Sequence, residues 1–187
     1  MANERRLTAS AAGSAAAATL ARMPISPYLR ELRRHVGHSM VMVPGVSAVV
    51  FNDAGDILLG RRSDNGQWSL LAGSVDPGEQ PADAIVREIR EESAVDVRVD
   101  RLVGVALHAN TYPNGDRCQF LNVWFRCTAI GGEARVNDDE SLEMAWFAAD
   151  TLPEIDDFVR LRIDTTLKND PLAWYVQPGT GQPGLGF

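Results

Sequence analysis

Glu88, Glu91 and Glu92 stand at i, i+3 and i+4 in the stretch from Pro81 to Ser93, which holds no helix breaker after its first residue. At about 100° per residue the three carboxylates share one helical stripe, while Ile85, Val86 and Ile89 fall on the adjacent stripe. Pro81 suits the first turn of a helix, where a missing N–H costs nothing, and Asp83 adds a favourable charge near the helix start. The apolar stripe must dock and the acidic one must face a cavity or solvent. Like charges at this spacing destabilise a helix by roughly 0.2–0.5 kcal/mol per pair unless a cation or an arginine sits among them. A solvated acidic face is one reading. The other is a site for a divalent cation and a phosphate chain, since carboxylate oxygens are the hard donors that Mg²⁺ takes.

The surrounding spacing favours the second reading. Gly73, Glu79, Arg87-Glu88, Ile89, Glu91-Glu92 and Val95 fall at offsets that resemble the signature of the Nudix hydrolase family. The resemblance implies an α/β fold, a Nudix-like α/β/α sandwich with a mixed β-sheet. It covers about residues 40 to 168. It implies that Glu88, Glu91 and Glu92 are metal ligands, that Gly73 supplies a backbone carbonyl, and that the ion is Mg²⁺, with Mn²⁺ a substitute. Glu91 is then a candidate to orient or deprotonate the attacking water, and Glu79 and Arg87 are expected to pair and hold the loop against the helix. Some family members take their base from a later loop, which makes Glu140 and Glu143 candidates and leaves Asp138 and Asp139 as a solvated acidic turn. The sequence departs from the family pattern at Ala94, where a glycine is usual, and at Ala72-Gly73, where a double glycine is usual. Alanine in a left-handed helix end costs roughly 1–2 kcal/mol, so the helix is expected to end differently, about a residue later.

Substrate selection must come from outside the acidic helix. Arg61 and Arg62 end a strand and could reach phosphates, although adjacent strand residues point to opposite faces and only one is expected to do so. Trp68, Tyr112 and Phe120 are candidates to stack on a base, with core packing as the alternative. His35, His38 and His108 lack the spacing of a metal set. The Tyr-Leu-Arg-Glu-Leu-Arg-Arg segment from Tyr28 and the Tyr112 to Asp116 loop also resemble a bacterial, ADP-ribose pyrophosphatase-like branch of the family. The expected substrate is therefore a small nucleotide, a nucleoside diphosphate linked to another moiety such as ADP-ribose or a nucleotide sugar. Two alternatives stay open: a (d)NTP pyrophosphohydrolase and a Nudix-fold nucleotide-binding regulatory module without turnover.

Composition narrows the rest. The chain has 187 residues, 45% of them hydrophobic, enough for one domain with a real core. A net charge of −7 argues against a binder of nucleic-acid backbones. Cys118 and Cys127 lie in one expected strand, roughly 30 Å apart at about 3.3 Å per residue, beyond disulfide reach. With no apolar run of about 18 residues the sequence gives no membrane span. These features fit reduced thiols and a cytoplasmic protein. Residues 1–24, rich in Ala, Ser and Thr, read as a disordered or frayed N-terminal extension; residues 25–168 read as the Nudix domain with an N-terminal helix, and 169–187 as a mobile tail that Trp174 and Tyr175 could anchor. The amphipathic segment Tyr28 to His35 is a helix that packs on the sheet or on a second copy, and a homodimer is expected. Strands are expected at Val43 to Phe51, Asp56 to Arg61, Gln67 to Leu71, Val97 to Ala109, Arg117 to Ala129 and Ser141 to Phe147, with the fourth and fifth at the sheet centre. Turns are expected at Asn52 to Gly55, across Pro-Asn-Gly and at Gly131-Gly132, and a closing helix from Ile155 to Leu167.

Overall fold

The computed structural model describes residues 26–112 and 114–180. The expected N-terminal extension and residues 181–187 of the tail lie outside the described residues. Along the chain come α1 (Pro27–Val36), β1 (Val41–Phe51), β2 (Ile57–Arg62), β3 (Trp68–Ser69), β4 (Ala72–Ser74) and α2 (Pro81–Ser93). These are followed by β5 (Val95–Thr111), β6 (Arg117–Gly132), β7 (Ser141–Phe147), α3 (Asp157–Leu167) and β8 (Trp174–Tyr175). The strand order is β3-β2-β1-β6-β5-β8, with β4 added to β1 and β7 to β2. β1 runs parallel to β6 from Val41 opposite Cys118 to Phe51 opposite Thr128, and antiparallel to β2 and β4, so the sheet is mixed.

Alternation along β1 explains the layers. Val46, Ala48 and Val50 point to the face that buries Ala84, Ile85 and Ile89 of α2. Val49 and Phe51 point to the opposite face and bury Val159 and Ile163 of α3, while Val41 and Val43 on that same face meet Leu29 and Leu32 of α1. The chain is thus an α/β/α sandwich. The first helix is held by Arg33, which donates to the Ser39 and Arg117 carbonyls at 2.6 and 2.7 Å and to Cys118 Sγ at 3.0 Å. Both cysteines are buried and free, and burial followed by the charge of Asp100 pushes the Cys127 thiol up to about 12.

Four local expectations need correction. The stretch Gln67 to Leu71 is not one strand: β3 holds only Trp68 and Ser69, and Ala72 to Ser74 form the separate β4, with Gly73 opposite Val46. Gly131 and Gly132 extend β6 because they pair with Asp96 and Val95. The sheet centre is β1 and β6; β5 has only the two-residue β8 beyond it. Finally, α2 does not run on past Ser93. Ala94 itself takes the left-handed position, φ 59°, with its N–H bonded to Arg90 O at 3.0 Å. Val95 must enter β5 at once, opposite Gly132, and its 2% exposure shows that the tertiary pairing outweighs the local strain. Ala94→Gly should therefore raise stability by about 0.5–1 kcal/mol, measured by denaturant unfolding; a loss of stability would show that the alanine methyl packs usefully.

Candidate active site

The acidic helix is seated at both ends by backbone contacts. At its start Pro81 occupies the first position, and Gln80 precedes it without a side-chain cap. At its end the segment after β6 folds back over the last turn. Arg135 N–H bonds Ser93 O, Asn137 N–H bonds Glu92 O, and the Asn137 amide donates to Arg90 O and Glu91 O at 3.3 and 3.1 Å. These bonds satisfy helix carbonyls that would otherwise lack partners. They also carry the following Asp138, Asp139 and Glu140 to the carboxylates of the helix.

A second set of bonds ties that acidic loop to the end of β2. Ser63 N–H donates to Glu140 O at 2.8 Å and Ser63 Oγ to Asp139 O at 3.0 Å. The result is a cavity of about 350 Å³ whose wall includes Arg62, Asp64, Ser69, Ala72, Glu92, Glu140 and Ser141. Glu92 is 7% exposed, and its Oε1 accepts from Ala72 N–H at 3.3 Å. Burial, then the charges of Glu140, Glu88 and Asp138, push its carboxyl well above the usual range. Burial, then Asp138 and Glu88, raise Glu140 to about 7. Burial also raises Glu88, with Arg87 offsetting part of the effect.

Glu88 crosses directly over Gly73: a Cβ at that position would collide with its carboxylate carbon and Oε1. Only glycine admits this approach. Arg87 holds the rest of the loop, donating from Nε and Nη2 to the two carboxylate oxygens of Glu79, both at 2.9 Å, and to Ser74 O at 3.2 Å. It also contacts Glu88 at 2.9 Å and Glu91 at 3.1 Å. The Arg87 bonds hold the Glu79 carboxyl below its ordinary value near 4.5 despite opposing burial. A depressed carboxylate contributes stability above its unfolded value that is lost as pH falls through the folded one. Arg87→Lys, which cannot reproduce the two-pronged contact, should lower the melting temperature at pH 7 and flatten the acid limb of stability below about pH 4.5. An unchanged acid limb would deny the pair this role.

The candidates from sequence separate in space. Glu88, Glu92 and Glu140 converge, whereas Glu91 is 58% exposed at its side chain and turned onto Arg87. Arg62 lines the cavity; Arg61 is exposed, donates to Gly66 O and faces Glu143 at 3.8 Å. Trp68 packs edge-on against Phe147 with ring centroids 5.0 Å apart, and Tyr112 and Phe120 pack with the α1 cluster. Among the described residues, no group of three or more His, Cys, Asp or Glu side chains is gathered closely enough to hold a metal ion as they stand, and Glu88 and Glu91 are both paired with Arg87. Sequence reasoning missed Ser63 and Asp64. Their signal was a serine and an acid placed immediately after the paired arginines.

Residues 41–166 match the NUDIX domain. A MutT-like protein of Streptomyces ambofaciens is 36% identical over 109 residues, 58% of this chain and 66% of that protein. The NAD-capped RNA hydrolase NudC of Pseudomonas putida is 35% identical over 112 residues, 58% of this chain and 38% of that protein. A NUDIX hydrolase structure from Nitrosomonas europaea superposes with a TM-score of 0.59 at 23% identity, covering 72% of this chain and 98% of the other. The chain belongs to the NUDIX family. It spans less than two thirds of either curated relative.

Proposed function

We propose that the protein is a divalent-cation-dependent hydrolase that cleaves the pyrophosphate linkage of a nucleoside diphosphate joined to a second moiety, of the ADP-ribose or nucleotide-sugar type. The observation that carries this reading is that Glu92 and Glu140 line one cavity with Arg62, while Glu88 lies near enough for its charge to raise both carboxyls. Carboxylates that raise one another's pKa are a poor structural device, and a cation among them removes the repulsion. The donors are the hard oxygens that Mg²⁺ takes, the glycine under Glu88 leaves its carboxylate room beside the Gly73 backbone, and binding would draw Glu88 and Glu91 off Arg87. Glu88, Glu91, Glu92 and the Gly73 carbonyl would hold the ion. It would neutralise phosphoryl charge and acidify a bound water.

The chain's own residues supply the remaining chemistry. Glu140, raised to about 7, can accept a proton from the attacking water near neutral pH, which a carboxyl at the ordinary value does poorly. Arg87 and Glu79 keep the β4 to α2 loop fixed, and Arg62 offers positive charge to the phosphates. The Pseudomonas relative, named for an NAD cap, is in keeping with a dinucleotide-like linkage. The test is product analysis with Mg²⁺ on ADP-ribose, nucleotide sugars and (d)NTPs. AMP plus a sugar phosphate is expected; nucleotide plus pyrophosphate from triphosphates alone would move the reading to a (d)NTP pyrophosphohydrolase. Substrate binding without turnover would make it a regulatory module.

A further inference from the structure

We propose that the gap between α1 and α3, on the sheet face opposite the acidic helix, is the base subsite, and that Asn122 and Arg162 select there a 6-keto purine, guanine or hypoxanthine, over adenine. The inference rests on the hydrolase reading above and deepens it. On that face α1 covers Val41 and Val43 of β1 and α3 covers Val49 and Phe51, but the two residues between them are Gly45 and Ser47. A small, polar floor between two apolar patches forfeits burial that a core would use. Asn122 of β6 lies opposite Gly45 and is 7% exposed, and its Oδ1 accepts from Ser47 Oγ at 2.9 Å, which turns the amide nitrogen away from Ser47. That nitrogen borders the space Gly45 leaves, where a Cβ would lie 3.5 Å from it and 3.3 Å from the Phe120 ring. Among the described residues the amide nitrogen has no acceptor, and it is not sealed from solvent.

Arg162 approaches the same place from α3. It is 5% exposed, its Nε donates to Phe158 O at 3.2 Å, and its guanidinium carbon rests 4.3 Å from the centroid of the Phe158 ring. Phe158 packs with Ala106, the residue directly across from Asn122 in the β5 to β6 register. Among the described residues the two Nη groups make no hydrogen bond or ion pair. Asp156 contributes charge, but its Oδ1 is spent on the Val159 N–H at the helix start. Burial pulls the guanidinium down to about 10, so it is still charged near neutral pH. A buried cation without a bonded acid is a costly structural device. The guanidinium fork and the amide nitrogen are donors, and a 6-keto purine presents two acceptors, O6 and N7, on one edge, where adenine places its amino donor. The aromatic walls, Phe120 and the stacked rings of His108 and Phe158 with centroids 4.8 Å apart, suit a flat base better than a hydrated anion. The gap also borders the chemistry: Ser47 lies opposite Ala72, whose N–H bonds Glu92. Asn122 is two strand spacings from β4, about 10 Å, a distance that a ribose can bridge. Ser47 acts through Asn122 and is a positioning residue.

The experiment is calorimetric binding of IMP, GMP, AMP and inorganic phosphate to the full chain, beside turnover of GDP-mannose and ADP-ribose with Mg²⁺. IMP and GMP are expected to bind at least about tenfold tighter than AMP, the discrimination of one two-pronged base contact. GDP-mannose should exceed ADP-ribose in kcat/KM by a similar factor, with ADP-ribose still cleaved. Arg162→Gln should remove most of that preference, whereas Arg160→Gln, the same charge change on the exposed side of α3, should leave it within about twofold. Asn122→Asp, which replaces the donor by an acceptor, should bring AMP level with IMP or ahead of it. Ser47→Ala, which frees the amide to turn, should lower the IMP to AMP ratio with kcat unchanged. Far-UV circular dichroism establishes that each variant folds, and the wild-type ratio is decisive whether or not Arg162→Gln does. Equal binding of IMP and AMP by the wild type, or a preference that survives both Arg162→Gln and Asn122→Asp, would overturn the proposal even if hydrolysis is observed. Binding of inorganic phosphate that is lost in Arg162→Gln would make the gap an anion site and overturn it as well. A 6-keto preference that both variants abolish, while neither linked diphosphate is cleaved, would overturn the hydrolase reading alone.

Discussion

Glu92→Gln is expected to lower kcat at least about a hundredfold and, at the same time, to raise the melting temperature at neutral pH. The two effects have one source. Glu92 is buried among Glu88, Asp138 and Glu140, and its folded carboxyl lies well above the unfolded value of 4.5. A carboxyl with a raised folded pKa binds its proton more tightly in the native state, so its contribution to stability falls as pH rises from about 4.5 toward the folded value. Glutamine keeps the shape and can still accept from the Ala72 N–H, but carries no charge to desolvate. A gain of about 2–4 °C, the shift that roughly 1 kcal/mol produces in a protein of this size, should appear in thermal scans at pH 7 and vanish near pH 4. Millimolar Mg²⁺ should then stabilise the wild type more than the variant. A variant that keeps kcat within tenfold, or melts lower, would remove Glu92 from the site.

Gly73→Ala should separate activity from stability in the opposite sense to a core substitution. The added methyl collides with the far end of the Glu88 side chain, which can rotate away, so the fold should lose no more than about 1–2 kcal/mol. The carboxylate it displaces is the one held over the β4 backbone, and kcat should fall by about two orders of magnitude. Gly104→Ala provides the contrast, because its Cβ would meet the ring of the fully buried Trp124, which donates to Thr165 Oγ1 at 3.2 Å and cannot move. That variant should be strongly destabilised, with any folded fraction retaining normal KM. Comparable stability losses in the two variants would show that Glu88 is locked in place.

The acidic helix was legible because Pro81 and the stripe of Ile85 and Ile89 are local signals, and the resemblance across Gly73 to Val95 added the fold. Its ending was not. Ala94 adopts a left-handed conformation because β5 pairs with a segment nearly forty positions later in the chain, Val95 with Gly132, and no local preference reports that. The choice between Arg61 and Arg62 was equally hidden: parity says that one of them faces the site, but the β2 to β7 register shifts between these two residues. Glu140 could be proposed from the family's use of a glutamate on a later loop, yet its approach to Glu92 depends on Asn137 clamping the helix end. Composition likewise does not reveal that the Trp68 ring packs on Phe147, or that Tyr112 packs with the α1 leucines while lying beside Arg62 and Asp64.

The parallel pairing of β1 with β6 has a consequence for how the protein is made. The seat of α2 consists of Val46, Ala48 and Val50 together with Val95, Phe125 and Cys127, residues that come from both sides of the helix in sequence. A ribosome that has delivered everything through Ser93 has produced the acidic stripe but only half of the surface that receives it. β1 must wait, unpaired on its main edge, until Cys118 to Thr128 emerge. Long-range parallel pairing of this kind is slow and leaves apolar edges open during synthesis. The carboxylates are therefore brought together late in folding, and the nascent chain depends on protection of the valine-rich β1 until its partner strand arrives.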